Sequence, residues 1–173
     1  EGLPVGLALD IPALERELAR RAAKGDTDTP RREPEAFSVL SGLYNGKTDG
    51  APFTAIINNM CGGGKAYPAF RPSHADYAAS VKYKGCNDPR GGGMFSGRMT
   101  APLVLAGAAA RQALLCRGVT VGAHIFSIAG VQDTPFDPVS LSAEDLRLEP
   151  DFPLVNKGVR ADMQRELRAA ARE

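Results

Sequence analysis

Polar side chains that could bind an anion are concentrated between residues 71 and 100. The run Arg71-Pro72-Ser73-His74-Ala75-Asp76-Tyr77 is followed by Arg90-Gly91-Gly92-Gly93 and then by Ser96, Arg98 and Thr100. Three glycines let a backbone approach a ligand closely, and a helix that begins a few residues later directs free N–H groups into the same space. Arg98 adds a planar fork suited to phosphate or carboxylate. The pattern predicts a phosphate-ester site, although a flexible turn with Thr100 as a helix cap would explain it equally well.

His74 is the candidate for proton transfer. It is one of two histidines in the chain, and its neighbours Arg71 and Asp76 can repel or attract its proton. The alternative is a histidine that only satisfies a hydrogen bond at a helix start, and we expect such a structural role for His124. The chain has no Walker loop, no GxGxxG after a strand and no Ser/His/Asp order. Nucleotide hydrolysis and covalent catalysis are therefore disfavoured.

Composition narrows the class of protein. The 21 basic and 20 acidic side chains nearly cancel, so a global charge that would attract nucleic acid or a membrane surface is absent. No apolar run of about 18 residues or signal-peptide pattern is present, which predicts a cytoplasmic protein. Cys61, Cys86 and Cys116 lack the spacing of a zinc site or a disulfide framework. We expect reduced thiols and no metal.

The elements that would position these residues alternate between helix and strand. Asp10 and Pro12 predict the start of a helix that carries Leu14 and Leu18 on one face. Two strands follow, from Phe37 to Tyr44 and from Phe53 to Asn58, and the tight turn at Asn45-Gly46 between them extends over Lys47 to Pro52. A mobile loop over 59–72 then leads to a short helix from His74 to Tyr83 and to a longer helix from Pro102 to Arg117. The last elements are a strand from Val119 to Ile128, an irregular stretch from Gln132 to Pro153 with a helical turn at Ser142, and a helix from Val159 to Glu173.

Within the long helix, one stripe is expected to pack against a neighbouring layer. It consists of Leu103, Gly107, Ala110 and Leu114, and the small residues imply a close approach.

The order of these motifs resembles the central signature of the chorismate synthase family. The signature consists of RPSHADY, KY, D-x-RGGG and S-x-R-x-T-A, and the agreement continues through ARRA, TPRRE and LSGLYNGKTDGAP upstream and through GAHI and PFDP downstream. The resemblance implies an α+β fold, a β-α-β sandwich with helices between sheets, of which this chain is roughly half. Residues 1–173 are then expected to be one partial domain, truncated at both ends, of a homotetrameric protein.

The resemblance also implies a reaction. Members of the family eliminate phosphate from 5-enolpyruvylshikimate 3-phosphate in the anti-1,4 sense, giving chorismate, and they need reduced FMN, with NADPH as a possible reductant. His74 matches a catalytic histidine that exchanges a proton with the reduced flavin. Met94, Phe95 and Ser96 stand at cofactor-binding positions, and Arg21, Arg71 and Arg98 are expected to bind the substrate.

Several positions depart from the common family pattern. Met94 stands where a charged or polar residue is usual, and Ala22-Ala23-Lys24-Gly25 stands where many members have a Pro-Gly turn. Weaker flavin binding is the hypothesis that follows from Met94. Two other classes of function stay open at this point: a non-catalytic module that binds phosphate esters, and an assembly module in which the long helices pack subunits together.

Overall fold

The computed structural model describes residues 1–23, 36–60 and 66–172. It is a mixed α+β structure, as predicted. Its four α-helices and six strands within the described ranges are α1 (Ile11–Ala19), β1 (Phe37–Ser41), β2 (Leu43–Tyr44), β3 (Lys47–Thr48), β4 (Thr54–Ile57), α2 (Asp76–Lys82), α3 (Thr100–Leu115), β5 (Ser127–Ile128), β6 (Val131–Gln132) and α4 (Arg160–Ala170). The strands form three two-stranded antiparallel sheets, β1–β4, β2–β3 and β5–β6. None of the helices in these ranges has the length and apolar character needed to cross a bilayer.

The core lies where α1 packs on α3. As predicted, Asp10 caps α1, and its Oδ1 accepts a hydrogen bond from the N–H of Ala13 at 3.0 Å. Leu14 and Leu18 are completely buried against a face of α3 that carries Leu105 and several alanines. Alanines leave little side chain between the helix axes, so the leucines of α1 fill the interface.

The packing face predicted for α3 is wrong. Leu103, Gly107, Ala110 and Leu114 all lie on the exposed side of the helix, and Leu103 is 70% exposed. The buried side is formed instead by Ala101, Leu105, Ala108 and Ala109. The reason is that α3 is apolar around most of its circumference, so its periodicity does not identify one packing face.

The predicted tight turn at Asn45-Gly46 is confirmed, but it joins different strands from those expected. Both residues have positive φ, +50° and +74°, and the turn connects β2 to β3. Lys47 and Thr48 are therefore a strand and not an extension of the turn. The predicted strand from Phe37 to Tyr44 is interrupted at Gly42, whose φ is +87° and where an added Cβ would lie 2.5 Å from the Cα of Phe53.

The strand predicted from Val119 to Ile128 is also largely wrong. Only its last two residues are extended and paired, with β6, through a turn at Ala129-Gly130. Residues 119–126 lie beside no partner strand in the described part of the chain. Backbone hydrogen bonds from the N–H of Ile125 to the carbonyl of Pro153, 2.9 Å long, and from the N–H of Asp133 to the carbonyl of Phe126, 2.8 Å long, tie this segment to the irregular stretch. Alternating apolar residues do not form a strand without a paired edge.

The last helix is confirmed as α4, with Met163 completely buried and Leu167 half-buried on its inner face. Ser142 begins a turn and not a helix, and its N–H donates to Asp145 Oδ2 at 2.8 Å. The TPRRE motif, Lys24-Gly25, Cys61, residues 62–65 of the predicted loop and Glu173 lie outside the described residues.

Candidate active site

His74 lies in a tight turn immediately before α2. The N–H of His74 donates to the carbonyl of Arg71 at 3.3 Å, and Ser73 has a φ of +59°. A left-handed conformation at a residue other than glycine costs about 1 kcal/mol or more, so the surrounding contacts must hold this turn in place. The imidazole is exposed. It is therefore free to meet a ligand from solvent.

The turn is held by an ion pair between Arg71 and Asp76. Arg71 Nε lies 2.8 Å from Asp76 Oδ2, Nη2 lies 2.9 Å from Oδ1, and the backbone N–H of Arg71 donates to Oδ2 at 3.1 Å. The side-chain hydrogen bonds from Arg71, together with its backbone N–H, lower the pKa of Asp76 to about 2. The same carboxylate raises the pKa of Arg71. Both groups are therefore charged throughout the physiological pH range.

A small polar cleft forms between this turn and the triple glycine. It has a volume of about 60 Å³ and is lined by Arg71, His74, Ala75, Asp76, Gly91, Gly92, Phe95, Ser96 and Gly97. Four residues predicted for the site therefore meet here: His74, Arg71, Phe95 and Ser96. The glycines supply backbone without side chains on the opposite wall. A cleft of this size admits a small polar group, not a ring.

A larger apolar pocket of about 660 Å³ borders the same glycine loop and shares Asp76, Gly92 and Phe95 with the polar cleft. Tyr67, Phe70, Tyr83, Met94 and Phe95 contribute its ring and thioether surface. The rings of Tyr83 and Phe95 are 6.1 Å apart between centroids. Pockets of this volume, apolar with few polar groups, commonly hold a cofactor-sized ligand. The planar ring system of a flavin fits this lining, and two of the three predicted cofactor residues, Met94 and Phe95, are part of it.

The third predicted cofactor residue, Ser96, faces the polar cleft and also shapes the start of α3. Its Oγ accepts from the N–H of Arg98 at 3.3 Å, which caps the 3₁₀ helix Gly97–Met99. Thr100 has no such role: its hydroxyl donates to the carbonyl of Gly97 at 2.6 Å, and α3 has no side-chain cap. The interpretation of Thr100 as a helix cap is therefore wrong.

The remaining two predicted arginines meet near the start of α3. Arg21 Nη2 donates to Thr100 Oγ1 at 2.9 Å, which brings the end of α1 to the first residue of α3. Arg98 Nη2 donates to Asn59 Oδ1 at 2.9 Å. Two guanidinium groups thus lie close to the residues that follow the glycine loop. Neither arginine is part of the lining of the polar cleft.

A second buried polar cluster contains His124, which makes the structural hydrogen bond expected of it, and Asp133, which was not predicted. The Nδ1 atom of His124 is 2.9 Å from Oδ2 of Asp133, and the Asp133 side chain is completely buried. The His124 ring contacts Phe136 with centroids 4.5 Å apart. No pattern in the sequence singles out Asp133, because two of its partners, Val155 and Asn156, are more than twenty residues away along the chain.

The thiols and the carboxylates do not assemble a metal site in the described ranges. Cys86 and Cys116 are free and exposed, and within these ranges no three His, Cys, Asp or Glu side chains are grouped to hold an ion. Asp88 instead pairs with Arg90 at 2.7 Å at the rim of the larger pocket. Hydrogen bonds from the Arg90 side chain, and then from its backbone, lower the pKa of Asp88 to about 2.

Comparison with known proteins identifies the family to which this chain is similar. A family model described as chorismate synthase matches residues 1–173. A chorismate synthase of Aeropyrum pernix is 46% identical over 135 residues, which cover 76% of this chain and 36% of that protein. One of Lancefieldella parvula is 38% identical and covers all of this chain and 44% of that protein.

A solved structure supports the same relationship. A crystal structure of chorismate synthase matches with a TM-score of 0.56 and 30% identity, over 76% of this chain and 34% of that chain. The chain spans less than half the length of the curated relatives named above. On the match to its whole length, the chain belongs to the chorismate synthase family.

Proposed function

We propose that the full-length protein containing this chain is a chorismate synthase. Its reaction is the anti-1,4-elimination of phosphate from 5-enolpyruvylshikimate 3-phosphate, which gives chorismate. The observation that carries the proposal is the meeting of His74, Arg71, Ser96 and the triple glycine in one polar cleft beside an aromatic pocket. Membership of the family supports the same activity.

The residues of the site have different roles in the proposed reaction, which follow from their chemistry. Reduced FMN, when bound, supplies an electron-rich ring beside the substrate. Met94 and Phe95 hold it through apolar contact, and Ser96 lines the adjoining polar cleft. The exposed imidazole of His74 can give or accept a proton at this boundary.

Positive charge near the glycine loop would stabilise the departing phosphate. Arg21 and Arg98 lie close to the start of α3, and the glycine backbone can approach an anion without a side chain in between. Arg71 lines the cleft but is already paired with Asp76. Arg21, Arg71 and Arg98 are together the arginines to which we assign substrate binding.

The extent and assembly of the protein are part of the proposal. Residues 1–173 supply one side of the site, as part of a domain that is a β-α-β sandwich in the complete chain. The complete chain forms a homotetramer in the cytoplasm and draws on reduced flavin, with NADPH as a possible reductant. The supporting observation is that the chain covers only 36–44% of the two relatives compared above. The 173-residue chain alone is then expected to be inactive.

The test is chorismate release under anaerobic conditions with chemically reduced FMN. The full-length protein should be active, and replacement His74→Ala should lower kcat by roughly 100-fold or more, the usual contribution of a general acid or base. Arg98→Ala should raise the KM for the substrate, whereas Arg147→Ala, an exposed arginine paired only with Glu144, serves as the matched control. A folded protein that binds the phosphate ester but neither binds flavin nor releases chorismate would instead be an anion-binding module.

A further inference from the structure

The Arg71–Asp76 pair is more buried than other arginine and lysine ion pairs of the described residues. Both side chains are about four-fifths buried, with 21% and 20% exposure. The carboxylate also accepts the backbone N–H of Arg71, so three hydrogen bonds converge on it. The Asp88–Arg90 pair in the following loop is equally short, but its side chains are 51% and 63% exposed. Burial and three bonds fix one orientation of the Arg71 guanidinium.

Arg71 in turn borders the loop that carries the triple glycine. An added Cβ at Gly92 would lie 3.2 Å from Arg71 Nη2, so the guanidinium borders the space that a side chain at Gly92 would need. Gly92 has a φ of +82°, which a residue with a side chain rarely adopts. The Cζ atom of Arg71 lies 4.1 Å from the centroid of the Tyr67 ring. The guanidinium therefore has little freedom to move away from the loop.

Asp76 is also the first residue of α2, two residues after His74. One carboxylate thus links three features of the cleft: the start of the helix, the strained turn at Ser73 and, through Arg71, the glycine loop. Two of the five guanidinium N–H donors of Arg71 are held by this carboxylate, on Nε and Nη2. The position of the guanidinium beside Gly92 favours a role in shaping the cleft.

We propose that Asp76 is a positioning residue for the reaction, which holds Arg71 against Gly92 and so sets the glycine loop at its working distance from His74. This proposal rests on the proposed function. Asp76 lines both the polar cleft and the larger pocket, but in this role its effect passes through Arg71, and that dependence can be measured.

The experiment is a double-mutant cycle in the full-length protein with Asp76→Asn, Arg71→Met and the combination. Misplacing a catalytic wall by about 1 Å costs up to roughly 100-fold, so each single variant should lower kcat by about 10- to 100-fold and leave KM within about 3-fold. If Asp76 acts through Arg71, the double variant should be no more than about 3-fold slower than the slower single variant. Asp145→Asn, which removes an exposed carboxylate bonded to Ser142, is the matched control and should stay within about 2-fold of the unmodified protein.

Amide hydrogen exchange over residues 91–96 gives a readout that needs no activity. Both single variants should exchange faster there, with exchange in α4 unchanged. If Asp76→Asn does not fold by circular dichroism, Asp76→Glu takes its place, because it keeps the charge but moves the carboxylate out of the two-pronged contact.

The outcomes separate the two proposals. Multiplicative losses in the double variant, or a rise in KM with kcat intact, would overturn the positioning role. Unchanged exchange over residues 91–96 would overturn it as well. An unmodified protein that releases no chorismate would refute the proposed function, and the exchange arm would then still decide whether Asp76 positions the loop.

Discussion

Replacing Asp133 by asparagine is the most direct test of how the irregular stretch after α3 is held. Oδ1 of Asp133 accepts the N–H groups of Thr134 and Asn156, each at 2.8 Å. Oδ2 accepts the N–H of Val155 at 2.7 Å and bonds Nδ1 of His124 at 2.9 Å. An asparagine has one oxygen and one NH₂ group, so in either orientation at least one of the backbone N–H groups would face another donor.

The expected loss of stability in Asp133→Asn follows from the pKa of Asp133 and from its hydrogen bonds. Burial by itself raises the pKa of Asp133, but the N–H groups of Asn156 and Val155, the ring of His124 and the N–H of Thr134 outweigh it and lower the pKa from 3.8 to about 2. That shift corresponds to about 2.5 kcal/mol of stabilisation of the charged form. Hydrogen bonds to a charged group contribute about 1.5–3 kcal/mol each. We therefore expect Asp133→Asn to lower the free energy of local opening by about 2–4 kcal/mol.

The assay is native-state amide exchange at Val155 and Asn156 in the full-length protein near neutral pH. A loss of about 2–4 kcal/mol predicts exchange that is roughly 30- to 1000-fold faster at these two amides. The matched control is Asp137→Asn, which removes an exposed carboxylate bonded to the N–H of Val139 and should leave them unchanged. Exchange in Asp133→Asn within about 3-fold of the unmodified protein would refute the reasoning.

The same argument fixes the sign of the pH dependence. The folded-state pKa of Asp133 is depressed, so its stabilisation is fully present above the unfolded pKa of 3.8 and is lost as the pH falls through about 2. The asparagine variant should lack this loss over the same interval. If the difference in stability between the unmodified protein and Asp133→Asn widened on acidification, the stabilising role of the Asp133 carboxylate would be contradicted.

Three further predictions concern positions that the backbone or the family pattern marks as special. Gly42→Ala should destabilise the protein by about 2 kcal/mol or more in urea unfolding, because its φ is +87° and the new Cβ would lie 2.5 Å from the backbone of Phe53. Ala129→Asn should raise the melting temperature, with a gain of about 0.5–1 kcal/mol, because Ala129 has a φ of +47° and asparagine tolerates that conformation better in a two-residue hairpin turn. Met94→Arg should tighten binding of reduced FMN in anaerobic fluorescence titration, and equal affinities would refute the hypothesis that Met94 weakens flavin binding.

Much of the local structure could be predicted because its causes are local. Asp10 caps α1 three residues ahead of the N–H that it binds, and Asn45-Gly46 forms its turn from its own backbone preferences. The prediction of a strand after Val119 was wrong because strand formation depends on a partner edge, which sequence alternation does not reveal. The prediction of the packing face of α3 was wrong because the helix is apolar on several sides.

In the site, too, the local features could be predicted from the sequence and the contacts between distant residues could not. His74 and Ser96 were predicted from the types and spacing of polar residues within one short stretch, and the structure brings both into one cleft. The approach of the Arg71 guanidinium to Gly92 brings together residues about twenty positions apart and has no sequence signature. The sequence also presents Arg71 as a free cation, whereas folding pairs it with Asp76. The partner of a charged side chain depends on the folded structure, whereas a helix cap depends on the adjacent sequence.

Three aspartates explain how segments with little regular structure keep a defined shape. Asp76 fixes the turn before α2, Asp88 fixes the start of the glycine loop, and Asp133 fixes the stretch that leads to α4. The pKa of each lies near 2, so all three remain charged, and their bonds intact, well below neutral pH. A change of activity between pH 5 and 8 therefore cannot come from the loss of these anchors.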